Sequence, residues 1–181
     1  MSRLTVFADD NPGTPTRSTT DALEMTRVLA GYGIDFKRFE IGDGLAEEAD
    51  QETILAAYAK EVSDQCHAFG YTTADVVRVP RGTPDAGTMR VKYRAEHIHD
   101  EDEARLIVAG SGTFSLHLDG KVLQVACGRG DLIRVPAGTL HWFDMGAAPF
   151  VTAIRFFTRP DGWVAQFTGD TISDRFPEHV S

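Results

Sequence analysis

Apolar residues change their spacing along this chain, and the change divides it into two regions. In the front third the spacing is helical. Asp21 with Glu24 three residues on has the form of a helix N-cap, Met25, Val28 and Leu29 make an apolar stripe, and Gly31 or Gly33 can end the helix. A second helix is predicted from Asp50 or Gln51 to about His67, where Ile54, Leu55, Tyr58 and Val62 recur on one face. Between them, FKRFEI (36–41) reads as a short strand and GDGLAEEAD as a polar connection. From Asp75 onward the period becomes two. Strands are predicted at VVRV (76–79), MRVKYR (89–94), ARLIV (104–108), TFSLHL (113–118), KVLQVA (121–126), DLIRV (131–135) and FVTAIRFF (150–157). Asp119-Gly120 between two of them is a two-residue hairpin signal, since glycine tolerates the positive φ such turns need. Many short strands separated by turns indicate a barrel or sandwich, mainly β, with helical additions at the N-terminus.

Composition narrows the function classes. The 181 residues suit one domain, with residues 1–75 as its helical and short-strand part, 76–168 as its β-barrel core and 169–181 as a C-terminal tail. A net charge of -9 argues against nucleic acid, which demands clustered Lys and Arg. No apolar run has the length of a membrane span, and the N-terminus lacks the pattern of a signal peptide, so a cytoplasmic protein without a membrane partner is expected. Cys66 and Cys127 stand in unlike contexts with no CxxC spacing, and both are read as reduced and structural.

The candidate chemistry lies where two predicted strands open. Met89, Val91, Tyr93, Ala95, His97 and His99 alternate, so an unbroken strand would turn all six to one face and end its apolar row in two imidazoles. Strand residues two apart are separated by about 6.6 Å, close enough to converge on one ion with bonds of about 2 Å. Glu103, after the acidic turn Asp100-Glu101-Asp102, can swing a carboxylate back to the same point. His141, just past the turn Pro136-Ala137-Gly138-Thr139, adds a fourth ligand. Imidazoles with a carboxylate favour a divalent transition metal over calcium or magnesium, and an octahedral ion so held keeps two positions for a chelating substrate.

These segments resemble a known family. HIHDEDEARLIVAG (97–110) fits the first cupin motif from its histidines through its glycine, and GDLIRVPAGTLH (130–141) fits the second. Val91 stands where the first motif has an earlier glycine, and Met145 where the second often has asparagine. EHIHDEDEAR, VPAGTLHWF and IRFFTRPDGWVAQFTGD together are similar to the acireductone dioxygenases of methionine salvage, over nearly the whole chain. The resemblance implies a cupin fold, a double-stranded β-helix with a jelly-roll-like barrel. It implies one Fe(2+) or Ni(2+) per chain on His97, His99, Glu103 and His141, with the acireductone 1,2-dihydroxy-3-keto-5-methylthiopentene and O2 as partners. With iron the family yields 2-keto-4-methylthiobutyrate and formate; with nickel it yields methylthiopropionate, formate and carbon monoxide.

Other residues are weighed around this centre. Arg105 shares the face of Glu103 and is a candidate to neutralise substrate oxygens or hold the carboxylate, with Arg155 as a second such cation. Glu96 alternates away from the ion and is assigned either a general-base or supporting role through strand distortion, or a surface position. Phe143 and Trp163 are candidates to line an apolar substrate pocket. His67, His117 and His179 have no partner at ligand spacing and are expected to be structural or exposed. The substrate supplies the electrons for oxygen chemistry, so no flavin or nicotinamide site is expected, and a monomer is the expected state. Two other readings remain open: a cupin dioxygenase acting on a different chelating enediol, and a non-catalytic cupin that binds a metal or small ligand.

Overall fold

The computed structural model describes residues 1–40, 45, 47–159 and 164–180. Its strands are β1 (Arg3–Ala8), β2 (Arg17–Thr19), β3 (Asp35–Arg38), β4 (Thr73–Val79), β5 (His97–Ile98), β6 (Glu103–Leu118), β7 (Lys121–Gly128), β8 (Asp131–Val135), β9 (Leu140–Asp144), β10 (Val151–Phe157) and β11 (Gln166–Phe167). Its helices are α1 (Ala22–Ala30), α2 (Gln51–Ala57), α3 (Ala59–Phe69) and α4 (Ala86–Arg94), with a 3-10 turn at Ile172–Arg175.

All strand pairs are antiparallel, and β6 belongs to two layers. Its first half pairs with β8 and β10, giving the order β4-β10-β6-β8-β3; its second half pairs with β7 and β9, giving β2-β1-β7-β6-β9-β5-β11. This is the expected cupin architecture. Residues 104–108 and 113–118 are one strand with a bend, and the bend is at Gly110. Gly110 has φ +70, and a Cβ there would lie 1.8 Å from the backbone oxygen of Phe150. Leu4, Val6, Phe114, Leu116, Leu123 and Val125 from one layer meet Phe36, Ile107, Ile133, Val135 and Ala153 from the other. Outward residues Leu106, Leu132, Ile154 and Phe156 are covered by Ile54 and Tyr58. The hairpin at Asp119-Gly120 is as expected, with φ 49 and 69.

Asp21 caps α1 by accepting the Glu24 amide at 2.7 Å, and Asp50 caps α2 by accepting that of Thr53 at 2.8 Å. The predicted second helix bends at Tyr58, which leaves helical backbone to bury its ring against the sheet, so it is α2 followed by α3.

Residues 89–94 correct the expectation of a strand: they lie in α4. Met89 and Tyr93 pack on the core, Arg90 and Arg94 both reach Glu178, and Val91 is exposed. Both pairs are four residues apart, so the helical period satisfies two contacts that alternation would have split. Of the six residues expected on one face of one strand, Met89, Val91 and Tyr93 lie in α4, Ala95 is its extended C-cap, His97 lies in β5 and His99 directly follows that strand. The front third also contains strands absent from the helical reading, chiefly β1, whose Leu4 and Val6 enter the core. The tail is packed rather than loose, with Ile172 and Phe176 buried against Phe7, Val122 and Trp142. Ile41 of the predicted strand at 36–41 lies outside the described residues. No described helix is long and apolar enough to cross a membrane.

Gly110→Ala is expected to destabilise the protein by about 2–4 kcal/mol, combining the cost of a positive φ with overpacking against a backbone carbonyl. Gly128→Ala, where an added methyl meets nothing within 4 Å, is the control. Denaturant unfolding of the two variants measures the difference.

Candidate metal centre

Three imidazoles converge at the open end of the barrel. His97 on β5 pairs directly with His141 on β9, and their ring centroids are 4.4 Å apart; His99 stands 5.0 Å from His97 and 5.3 Å from His141. One ring nitrogen from each lies within 4.8 Å of the others, and all three residues are buried. Their orientation is set by main-chain carbonyls. Nδ1 of His97 faces the Ala95 oxygen at 2.7 Å, Nδ1 of His99 that of Val164 at 3.1 Å, and Nδ1 of His141 that of Thr139 at 2.8 Å. A carbonyl only accepts, so in each neutral ring Nδ1 carries the proton and Nε2 keeps its lone pair. Burial, reinforced by the nearby His141 ring, pushes His97 down to about 4, which keeps it neutral and able to donate that pair at pH 7.

Glu103, the first residue of β6, brings a carboxylate to the same point. Its Oε2 is 2.9 Å from Nε2 of His141 and 3.7 Å from Nε2 of His99. Neighbouring ligands on an octahedral ion with bonds of about 2.1 Å are roughly 3 Å apart, so the donor set fits a divalent transition ion. The other oxygen, Oε1, accepts from Nη2 of Arg105 at 2.5 Å. Burial alone would raise the Glu103 carboxyl, but the Arg105 guanidinium beside it outweighs this and holds the group well below the usual carboxylate range.

A cavity opens over this cluster. Arg105, Arg155, Lys92 and Asp102 supply its charges, and Tyr93, Phe157, Ala165 and Phe167 its apolar surface. Arg105 and Arg155 are register partners on β6 and β10, and Arg155 in turn pairs with Asp75 on β4 through two hydrogen bonds of 2.8 and 2.7 Å. Arg105 is held over the rings of Phe143, Phe114 and Tyr93, and its buried Nε has no partner among the described residues.

The structure thus brings His97, His99, Glu103, His141, Arg105 and Arg155 together. Glu96 is elsewhere: it is buried on the opposite face of the ligand segment, 2.8 Å from Nδ1 of His117 and 2.9 Å from the Thr168 hydroxyl. Strand alternation keeps it behind His97, so it is neither a surface residue nor placed to take a proton from a ligand in the cavity. Phe143 also differs from expectation. It shares the inward face of His141 but lies one pleat deeper, in the core against Phe114, with Arg105 between it and the cavity mouth. Phe157, Phe167 and Tyr93 line the cavity instead, and Trp163 lies outside the described residues. Tyr93 reaches the cavity from α4 rather than from the strand expected to carry it; Phe167 flanks His97 at 5.7 Å, from a two-residue strand too short to show a period. His117 and His179 have structural partners, Asp9 and Glu96 for the first and Ser111 and Thr113 for the second. Cys66 and Cys127 are free thiols.

Residues 6–165 match the model of the ARD/ARD' family. An acireductone dioxygenase of Parvibaculum lavamentivorans is 49% identical over all of this chain and 98% of its own length, and one of Synechococcus sp. is 49% identical over 98% of each. Among solved structures, the acireductone dioxygenase from Bacillus anthracis with a cadmium ion in its active centre superposes with a TM-score of 0.81 at 27% identity, covering 92% of this chain and 98% of that one. With the motifs, the barrel and the histidine cluster all in agreement, the chain belongs to the ARD/ARD' family of acireductone dioxygenases.

Proposed function

We propose that this protein cleaves the acireductone 1,2-dihydroxy-3-keto-5-methylthiopentene with O2 as part of methionine salvage, holding one Fe(2+) or Ni(2+) on His97, His99, Glu103 and His141. The observation that carries the reading is the set of three imidazoles, each fixed by a backbone carbonyl, with the Glu103 carboxylate at ligand spacing beneath a cavity lined by Arg105 and Arg155. The cadmium in the active centre of the Bacillus anthracis relative supports it. With iron bound the products are 2-keto-4-methylthiobutyrate and formate; with nickel, methylthiopropionate, formate and carbon monoxide.

When bound, the ion supplies a site where the adjacent oxygens of an enediolate chelate and where redox chemistry with O2 becomes accessible. The protein's own part is positioning. Arg105 lines the cavity and binds the anionic end of the substrate through its guanidinium, whose Nη2 also restrains Glu103. Arg155, neutralised by Asp75, adds donors without a second uncompensated charge. Phe157, Phe167, Ala165 and Tyr93 receive the methylthioethyl tail and exclude water. The working protein is placed in the cytoplasm as a monomer, with only small molecules as partners.

Replacing His97, His99 or His141 by Ala is expected to abolish tight metal retention with circular dichroism unchanged; metal content measured after desalting tests this, and full retention in any variant removes that residue from the site. Anaerobic reconstitution with iron(II) or nickel(II), followed by acireductone and oxygen, is expected to give the two product sets above. No oxygen uptake with either metal would overturn the assignment.

A further inference from the structure

The four candidate ligands sit on two separate stretches of chain, residues 97–103 and 136–141, and a common ion requires that the spacing between them be fixed. Main-chain links do part of this. His97 pairs with His141, Glu103 pairs with Val135, and the Gly138 amide donates to the His99 carbonyl at 2.9 Å. One acidic side chain also reaches across. Asp102 Oδ1 accepts from the Ala137 amide at 3.0 Å, and its Oδ2 accepts from Nη1 of Arg134. Arg134 does not swing freely. Its Nε donates to Asp35 Oδ2 at 2.7 Å, its guanidinium lies 4.5 Å from the Phe69 ring centroid, and its strand position is locked between Ala104 and Asp35.

The other acids of the same turn face elsewhere. Asp100 accepts from the Gln166 side chain at 2.6 Å, and Glu101 caps the Thr158 and Arg159 amides. Of the three, Asp102 alone bonds to the turn that delivers His141, and it immediately precedes Glu103 in the chain. We propose that Asp102, anchored through Arg134 to Asp35, is a positioning residue that sets the separation of the two ligand-bearing turns and thereby the affinity and geometry of the bound ion. This rests on the metal assignment above. A carboxylate fits the task better than an amide. Both of its oxygens accept, one from a backbone N–H and one from a guanidinium, whereas an asparagine would turn an NH2 toward one of those two donors.

Apo-protein titrated with cobalt(II) against a chromophoric chelator tests the idea, with the visible spectrum of the cobalt form as a second readout. Asp102→Ala is expected to bind 10–100-fold more weakly than wild type with a changed spectrum, the scale on which partners just outside a ligand shell act. Asp102→Asn should fall between the two. Asp100→Ala removes the same charge from the same turn without touching the second one, and should stay within about twofold of wild type, below the scale of such partners. Equal weakening by Asp100→Ala and Asp102→Ala would reduce the effect to charge alone and overturn the proposal. So would wild-type affinity and spectrum in Asp102→Ala or, should that variant fail to fold, in Asp102→Asn. Failure of the wild type to bind cobalt at all would instead remove the metal assignment, and this inference with it.

Discussion

The bend of β6 at Gly110 is the constraint on which the rest of the site depends. A single strand of 16 residues pairs with β8 and β10 before the bend and with β7 and β9 after it, so both layers are referred to one piece of backbone. Glu103 and Arg105 enter the interior from its first half, and its second half carries β9, whose neighbour β5 brings His97 opposite His141. The bend needs a positive φ and a close pass by the Phe150 carbonyl, and only glycine meets both conditions cheaply.

Charge inside the cavity is balanced by register. Arg105 and Arg155 lie side by side across β6 and β10, an arrangement that would repel if both were left bare. Each instead has its own carboxylate, Glu103 along the strand for one and Asp75 across the next strand for the other. The two pairs are not equivalent. Glu103 divides its oxygens between Arg105 and the histidines, so the arginine and the candidate metal site share one carboxylate, whereas Asp75 is partly exposed and, among the described residues, its carboxylate pairs with Arg155.

What the sequence made legible was the part carried by period and by motif. The core strands 121–126 and 131–135, the hairpin at Asp119-Gly120 and both capped helix starts follow from local rules, and the four candidate ligands stand together because two motifs lie in cupin order. The misread parts have a common cause: local pattern was ambiguous and tertiary contact decided. MRVKYR satisfies period two and period four alike, and only the distant partners Asp144 and Glu178 select the helix. β1 is apolar enough for a strand but pairs with β7 more than a hundred positions away, a partner invisible locally. Glu96 was placed correctly as to face, yet whether that face meets solvent depended on His117 and Thr168.

Glu96 belongs to a wider arrangement that alternation explains. Each candidate ligand has an acidic residue one to three positions away whose side chain is anchored outside the cluster: Glu96 beside His97, Asp100 beside His99, Asp102 beside Glu103, and Asp144 three residues after His141, held by Arg90 at 2.6 Å and by the His179 amide at 2.9 Å. Where the backbone is extended, odd offsets face opposite ways, so a residue that aims a ligand inward places its neighbour where it can be tied from the outside. Ligand direction is then held from both sides of the backbone, by carbonyls acting on the rings and by side-chain hydrogen bonds and ion pairs acting on the strand. The Arg90 anchor carries this to α4, whose Tyr93 lines the cavity: the helix is fixed to β9 and to the tail through Glu178, so the cavity wall and the His141 strand are fastened to one another. The packed tail, buried at Ile172 and Phe176, is therefore part of what holds that side of the cavity in place.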